Sequence, residues 1–212
     1  MFNANEFVES LPHTLSFHIE LEDNPNYLNS KIGGSFYWPD ENIPKFQFIA
    51  QINFSELPEN DIFPSTGLLQ FFIPENIFEL SNNCLVIYHK EFDKGIEAFS
   101  FNKEPIKHEK KMKFTAVSEP LSFFDYRFKY DFDDKCSEQI YNLNNGEGHK
   151  LLGYPFFTQS DPRHNNYNTL LLQLDSCKDI MWGDCGVGNF FIDENKLKEL
   201  DFSDVFFTWD CY

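Results

Sequence analysis

The chain has 212 residues, 42% of them apolar, with 34 acidic side chains against 17 basic ones, for a formal net charge of −17. That length suits one domain with a sizeable core. A field of that sign repels phosphate backbones and anionic lipid surfaces, so nucleic acid and membrane partners are disfavoured; the charge serves either a basic protein partner or only the solubility of a phenylalanine-rich chain. Phenylalanine stands out at 26 residues, beside 11 prolines and only three methionines. Aromatic residues favour pleated, half-buried surfaces, which predicts a mainly β chain, at the α+β borderline, rather than a helical bundle.

In chain order, residues 3–10 predict a short helix with Glu6 and Glu9 outward and Phe7 and Val8 packed. The stretch from Pro12 to Pro25 reads as irregular, and Gly33-Gly34 ahead of Trp38-Pro39 as a turn into the body of the fold. Residues 46–54 give the clearest strand, with Phe46, Phe48, Ala50, Ile52 and Phe54 on one face and Gln47, Ile49, Gln51 and Asn53 on the other. A strand follows at 68–73. The apolar run Cys84–His89 reads as a central strand, and strands at 96–101 and 113–117 are weaker. Between those two, residues 103–111 form a charged excursion that predicts a solvated loop.

The best helix spans Asp133–Asn144, where Cys136, Ile140 and Leu143 share a face, Asp133 can cap and Gly146 follows the end. Strands at 169–174 and 187–192, a short helix near Glu194–Leu200 and a closing strand at 205–211 complete the pattern. Five cysteines without a CxxC pair, and an opening stretch with no apolar signal, predict a reduced, cytoplasmic protein in which the thiols act as small core hydrophobes. No window approaches the ~18 apolar residues of a membrane span.

One pattern repeats. Gly67-Leu-Leu-Gln70-Phe71-Phe72-Ile73 returns as Gly186-Val-Gly-Asn189-Phe190-Phe191-Ile192. Each follows a strand with an embedded glutamine, Phe48-Ile-Ala-Gln51-Ile-Asn53 and Leu170-Leu-Leu-Gln173-Leu-Asp175, and the lead-ins Lys31-Ile-Gly-Gly34 and Lys150-Leu-Leu-Gly153 also match. The reading is a single domain over 1–212 with roll-like antiparallel sheets and two related units, roughly 31–73 and 150–192. Gln51 should then correspond to Gln173, and Gln70 to Asn189.

These segments, with Gln159-Ser-Asp161-Pro162 and Trp182-Gly-Asp184-Cys-Gly186, resemble the YwqG-like family, a bacterial domain of unknown function. The resemblance spans nearly the whole chain. It implies a mainly β roll with minor helices in a cytoplasmic protein, and it brings no reaction and no catalytic residues.

The candidate ligand-binding residues are Gln51, Gln70, Gln173, Asn189, Asp184, Trp38 and Trp182. A carboxamide in an apolar strand must find partners, because an unpaired buried polar group costs on the order of 1–3 kcal/mol. Two readings stand: the amides converge with Asp184 on a shared cleft, or they satisfy loop backbone and each other. Asp184, in a turn with three glycines in six residues, is a turn cap or a ligand carboxylate. Tyr37, Trp38, Tyr154, Phe156 and Phe157 line a groove or pack at the edge of the core.

Neither a phosphate-binding glycine loop nor a nucleophile elbow occurs. The spacing of Asp175, Asp179 and Asp184 fails the calcium-loop pattern, and the histidines and cysteines show no zinc-pair spacing. No catalytic residue, metal or cofactor is expected. The function expected is a non-enzymatic binding or interaction protein, in its concrete form an acidic immunity-type partner of a basic protein. The alternative is a small-molecule-binding protein or enzyme with a site at the Gln51/Gln173/Asp184 cleft.

Overall fold

The fold was analysed in a computed structural model, which describes residues 2–39, 42, 45–76, 84–92, 96–99, 103–163 and 166–212. The chain runs α1 (Ala4–Glu9), β1 (His13–Glu22), β2 (Lys31–Ile32), β3 (Ser35–Trp38), β4 (Gln47–Asn53), β5 (Leu68–Ile73), β6 (Leu85–His89), β7 (Ile96–Phe99) and β8 (Lys110–Pro120). It continues through α2 (Asp134–Leu143), β9 (Lys150–Leu152), β10 (Thr169–Asp175), β11 (Val187–Ile192), α3 (Glu194–Lys198) and β12 (Val205–Asp210). Ten strands form one antiparallel, nearly closed, barrel-like sheet. A two-stranded ribbon of β3 and β7 forms a separate sheet that packs on it.

In the strand order β12-β11-β10-β9-β1-β8-β2-β4-β5-β6, β5 and β11, β4 and β10, and β2 and β9 hold the same rank counted from opposite ends. Its centre is the β1–β8 pair, ten residues deep. On one side stand β8, β2, β4, β5 and β6, which we term the first half; on the other stand β1, β9, β10, β11 and β12, the second half. The halves interlock, because β1 precedes the first half in sequence yet pairs with β9, while β8 pairs with β2.

Equivalence extends to register. Gln51 lies opposite Lys31 on one side and Gln70 on the other. Gln173 lies opposite Lys150 and Asn189 in the same way. Both long strands carry a bulge at the matching place, between Phe48 and Ala50 and between Leu170 and Leu172. Even the backbone after each short strand matches: Gly33 and Leu152 sit at φ 57° and 58°, Gly34 and Gly153 at 68° and 80°. The internal duplication is therefore a property of the fold.

The strands β4, β5 and β11 are buried at every residue, which explains their continuous apolar runs. Their inner face fills the barrel, where the equivalent rings Phe71 and Phe190 meet at 5.0 Å. Their outer face is covered by separate clusters: Phe36, Trp38, Phe48 and Phe72 in the first half, and Phe157, Leu170 and Phe191 in the second. The bulge is why strict alternation fails across 46–54. Phe48 packs outside the barrel, while Ile49, Ala50 and Ile52 all pack inside.

Several expectations need correction. The stretch between Pro12 and Pro25 is not irregular but holds β1, a ten-residue strand at the centre of the sheet. Leu15, Phe17, Ile19 and Leu21 alternate inward along it. The Cys84–His89 run gives β6, which ends the sheet rather than sitting within it. The weak strand at 113–117 is the middle of the eleven-residue β8, which begins inside the charged excursion at Lys110. Ile106 of that excursion is buried and bridges to Ile180. Residues 100 and 101 of the other weak strand lie outside the described residues. None of the five cysteines is fully buried, and Cys185 is exposed. Helix α2 begins as expected, with the Asp133 carboxylate accepting from the Cys136 N–H at 2.8 Å.

Candidate functional site

In each half, two carboxamides on neighbouring strands grip one residue of the segment that covers them. In the first half, Gln51 Oε1 accepts from the Tyr37 N–H at 3.4 Å while Gln70 Nε2 donates to the Tyr37 carbonyl at 2.7 Å. In the second, Gln173 Oε1 accepts from the Phe156 N–H at 2.7 Å and Asn189 Nδ2 donates to the Phe156 carbonyl at 2.9 Å.

The glutamine NH2 groups complete the clamp. Gln51 Nε2 donates to the carbonyls of Tyr27 and Asn29, at 2.7 and 2.8 Å. Gln173 Nε2 donates to those of Gly146 and Gly148, both at 2.8 Å. Counted from Lys31 and from Lys150, the gripped positions are the same: four and two residues before, and six after. Each clamp therefore gives hydrogen-bond partners to the backbone of the segments that cover it, as buried peptide groups require.

Two residues that pattern reading passed over complete the row. Lys31 and Lys150 are fully buried beside the glutamines. The Lys31 ammonium pairs with Glu109 at 2.7 Å, and Glu109 is about half exposed. Lys150 pairs with the buried Glu119 and also donates to the Tyr154 carbonyl at 3.0 Å. Burial pulls the Lys150 pKa down against the opposing attraction of Glu119. Both carboxylates press on the glycine three residues after their lysine. A Cβ at Gly34 would run into Glu109, and one at Gly153 into Glu119. The signal available in the sequence was the shared Lys-x-x-Gly lead-in, which a surface reading of lysine conceals.

The halves diverge at the far end of the row. Gln70 Nε2 donates to both Tyr37 and Gln51, so Gln70 Oε1 must accept the proton of His89 Nε2, 2.9 Å away. Burial lowers the His89 pKa, consistent with a neutral ring. In the second half Asn189 is one methylene shorter, and its Oδ1 finds no hydrogen-bond partner among the described residues. Asp210 closes that side by accepting from the N–H groups of Thr158 and Gln159, at 3.2 and 3.1 Å.

The structure does not bring all the candidate residues together. Gln51 and Gln173 lie five strand steps apart in the sheet. Asp184 is exposed at the turn 183–185, where its carbonyl accepts from the Tyr212 N–H at 3.4 Å. Trp182 is fully buried with Phe207 and Trp209, and its indole lies against Gly188, where no side chain could fit. Trp38 packs on Phe36, Phe72 and His89 and donates to the Asn42 carbonyl at 3.1 Å. Beside the first clamp a concavity of about 410 Å3 opens, lined by Tyr27, Leu28, Tyr37, Thr66, Lys90, Glu91 and Phe92. Among the described residues no three His, Cys, Asp or Glu side chains gather as a metal site requires, and no helix is long and apolar enough to cross a membrane.

Fold and clamps together define a duplicated, mainly antiparallel β protein in which each half holds its own covering segments with buried carboxamides. The chain belongs to the DUF1963 family, described as a domain of unknown function, with the match covering residues 30–211. A comparison with curated proteins returns no match.

Proposed function

We propose that this chain is a non-enzymatic interaction protein that binds a basic protein, and that within its family it is a YwqG-like, bacterial, cytoplasmic member. The observation that carries the reading is the net charge of −17. Such a field speeds encounter with a cationic surface and opposes nucleic acid and anionic lipid. The clamp geometry supports it indirectly, since the buried amides are occupied by the chain's own backbone. The concrete form is an immunity-type partner that neutralises a basic toxin.

The test is affinity capture from native lysate, followed by reconstitution with the captured protein over a salt series. One or a few basic proteins should be retained, with affinity falling steeply as salt rises. Salt-insensitive retention of every basic protein, or no stable partner, would overturn the reading.

A second reading is favoured by one feature. The 410 Å3 concavity is walled by Tyr27 and Tyr37, whose backbone Gln51 holds, and its size suits a small organic ligand. A ligand panel read by thermal shift tests it, because a specific ligand stabilises in proportion to RT ln(1 + [L]/Kd). A shift abolished by Phe92→Ala with the apo fold intact would favour a small-molecule protein over the first reading.

A further inference from the structure

We propose that the lobe built from α1, α2 and the segment 123–132 leading into α2 is the docking face for the basic partner, which seats a cationic, amphipathic surface on it. This inference rests on the interaction reading above and adds the place.

The lobe is where the molecule shows rings to solvent. Seven large apolar side chains are exposed among the described residues, and four of them, Phe2, Tyr126, Tyr130 and Leu143, belong to this lobe. The rings are ordered on a firm base. Ala4, Val8 and Ile140 are buried between the helices, and Phe7 above them meets Phe2 at 5.9 Å, Tyr130 at 5.1 Å and Phe132 at 4.9 Å. Phe2 remains 38% exposed and Tyr130 48% exposed. The Phe-rich outer clusters of the barrel are, by contrast, covered by the ribbon and by the segment 153–157.

The rim of this patch is acidic. Glu6 and Glu9 project from α1, and Asp131, Asp134 and Glu138 from α2 and its approach; all are exposed. None forms an ion pair among the described residues. Across 2–10 and 126–143 the sequence has six carboxylates against Lys129 and Lys135, once Arg127 is set aside as the partner of Asp125. An aromatic centre with a charged rim is the anatomy of a protein interface. Its chemistry selects a cationic partner twice over: carboxylates attract the charge, and the rings of Phe2 and Tyr130 accept arginine and lysine by cation–π contact, whereas that of Tyr126 already carries Arg127 and Arg163 at 5.3 and 4.7 Å.

The experiment is a titration of the 15N-labelled full chain with a helical peptide of about 18 residues, roughly five turns, made of leucine, arginine and lysine. A control peptide keeps the cations and replaces leucine with serine. Amide shifts should concentrate in 2–10 and 123–143, and the serine control should bind at least tenfold more weakly. The double variant Phe2→Ser/Tyr130→Ser should weaken binding about tenfold. Asp131→Asn/Asp134→Asn/Glu138→Gln should weaken it similarly and flatten its salt dependence. Circular dichroism melts of both variants, close to that of the parent, would show that the fold is kept. Shifts on the barrel with the lobe silent, or equal binding of the control, would overturn the docking face while leaving a basic partner in place. Dimerisation through the lobe, seen by sedimentation and abolished by Phe2→Ser/Tyr130→Ser, would overturn it in favour of a second copy. Absence of binding by any cationic peptide at any position would overturn the underlying interaction reading as well.

Discussion

The two halves of the barrel perform the same fastening with different margins. In the first, the clamp ends in a fully bonded Gln70–His89 pair and the buried Lys31 reaches a carboxylate that still touches water. In the second, Asn189 leaves an acceptor unpaired, while Lys150 and Glu119 are both sealed from solvent. The arrangement common to both halves holds the cover segments. What differs is how much desolvation each half tolerates and what closes its outer end. A polar residue in an apolar strand is thus explained here by the loop it holds, and the exposed chemistry lies elsewhere.

The largest expected contrast is between the lysines. Lys150→Met leaves the buried Glu119 with only the half-exposed His18 beside it, at 4.0 Å, so it should destabilise by about 3–5 kcal/mol. Lys31→Met leaves a half-exposed carboxylate that water can solvate, and should cost roughly 1–2 kcal/mol. Urea unfolding of both variants measures the difference, and equal losses would break the comparison. Adding Glu119→Leu to Lys150→Met should restore most of the loss.

Next come the glutamines. Gln51→Leu and Gln173→Leu each strip hydrogen-bond partners from three backbone groups, and each should cost about 2–4 kcal/mol in the same assay. The two values should agree within about 1 kcal/mol if the clamps are equivalent. At the far end, Gln70→Leu should cost about 1 kcal/mol more than Asn189→Leu, because only Gln70 has its oxygen engaged.

How far could this be read from the residues alone? The repeated glutamine strands and their lead-ins pointed to two related units, and the registers of Gln51 and Gln173 agree. What stayed hidden was set by long-range pairing. Between two prolines and with three acids in the stretch, β1 looks irregular until β8 and β9 pair with it from about 90 to 136 residues away. β6 looks central by composition, but its rank in the sheet depends on which strand stops beside it. The lead-ins carried Lys31 and Lys150, but their burial was not legible because lysine ordinarily belongs at the surface. The exposed rings of the helical lobe were also hidden, since 26 phenylalanines do not announce which rings stay exposed.

Smaller effects follow pH. Burial lowers the pKa of His149, whose Nδ1 accepts from the Asp175 N–H at 3.0 Å, and of His89. Both groups bind protons more weakly in the folded state than in the unfolded chain. Stability should therefore decline as pH falls below the ordinary histidine value, and be recovered as pH rises back through it. The melting temperature should drop between pH 7 and pH 5, and His149→Gln should shallow that slope. A flat profile would mean that these rings do not stay neutral in the fold. Smallest of all, Gly33→Ala should cost only about 1 kcal/mol, because Leu152 shows that the equivalent backbone, at φ 58°, accepts a side chain.

Hydrogen exchange at the Tyr37 and Phe156 amides tests the clamp most directly, since Gln51 and Gln173 are the side chains that accept those two protons. Both amides should be protected in the parent protein. In Gln173→Leu the Phe156 amide should exchange quickly while Tyr37 stays protected, and Gln51→Leu should give the reverse. Unchanged protection at the clamped amide, or loss of both amides together from either substitution, would contradict two separate and equivalent fastenings.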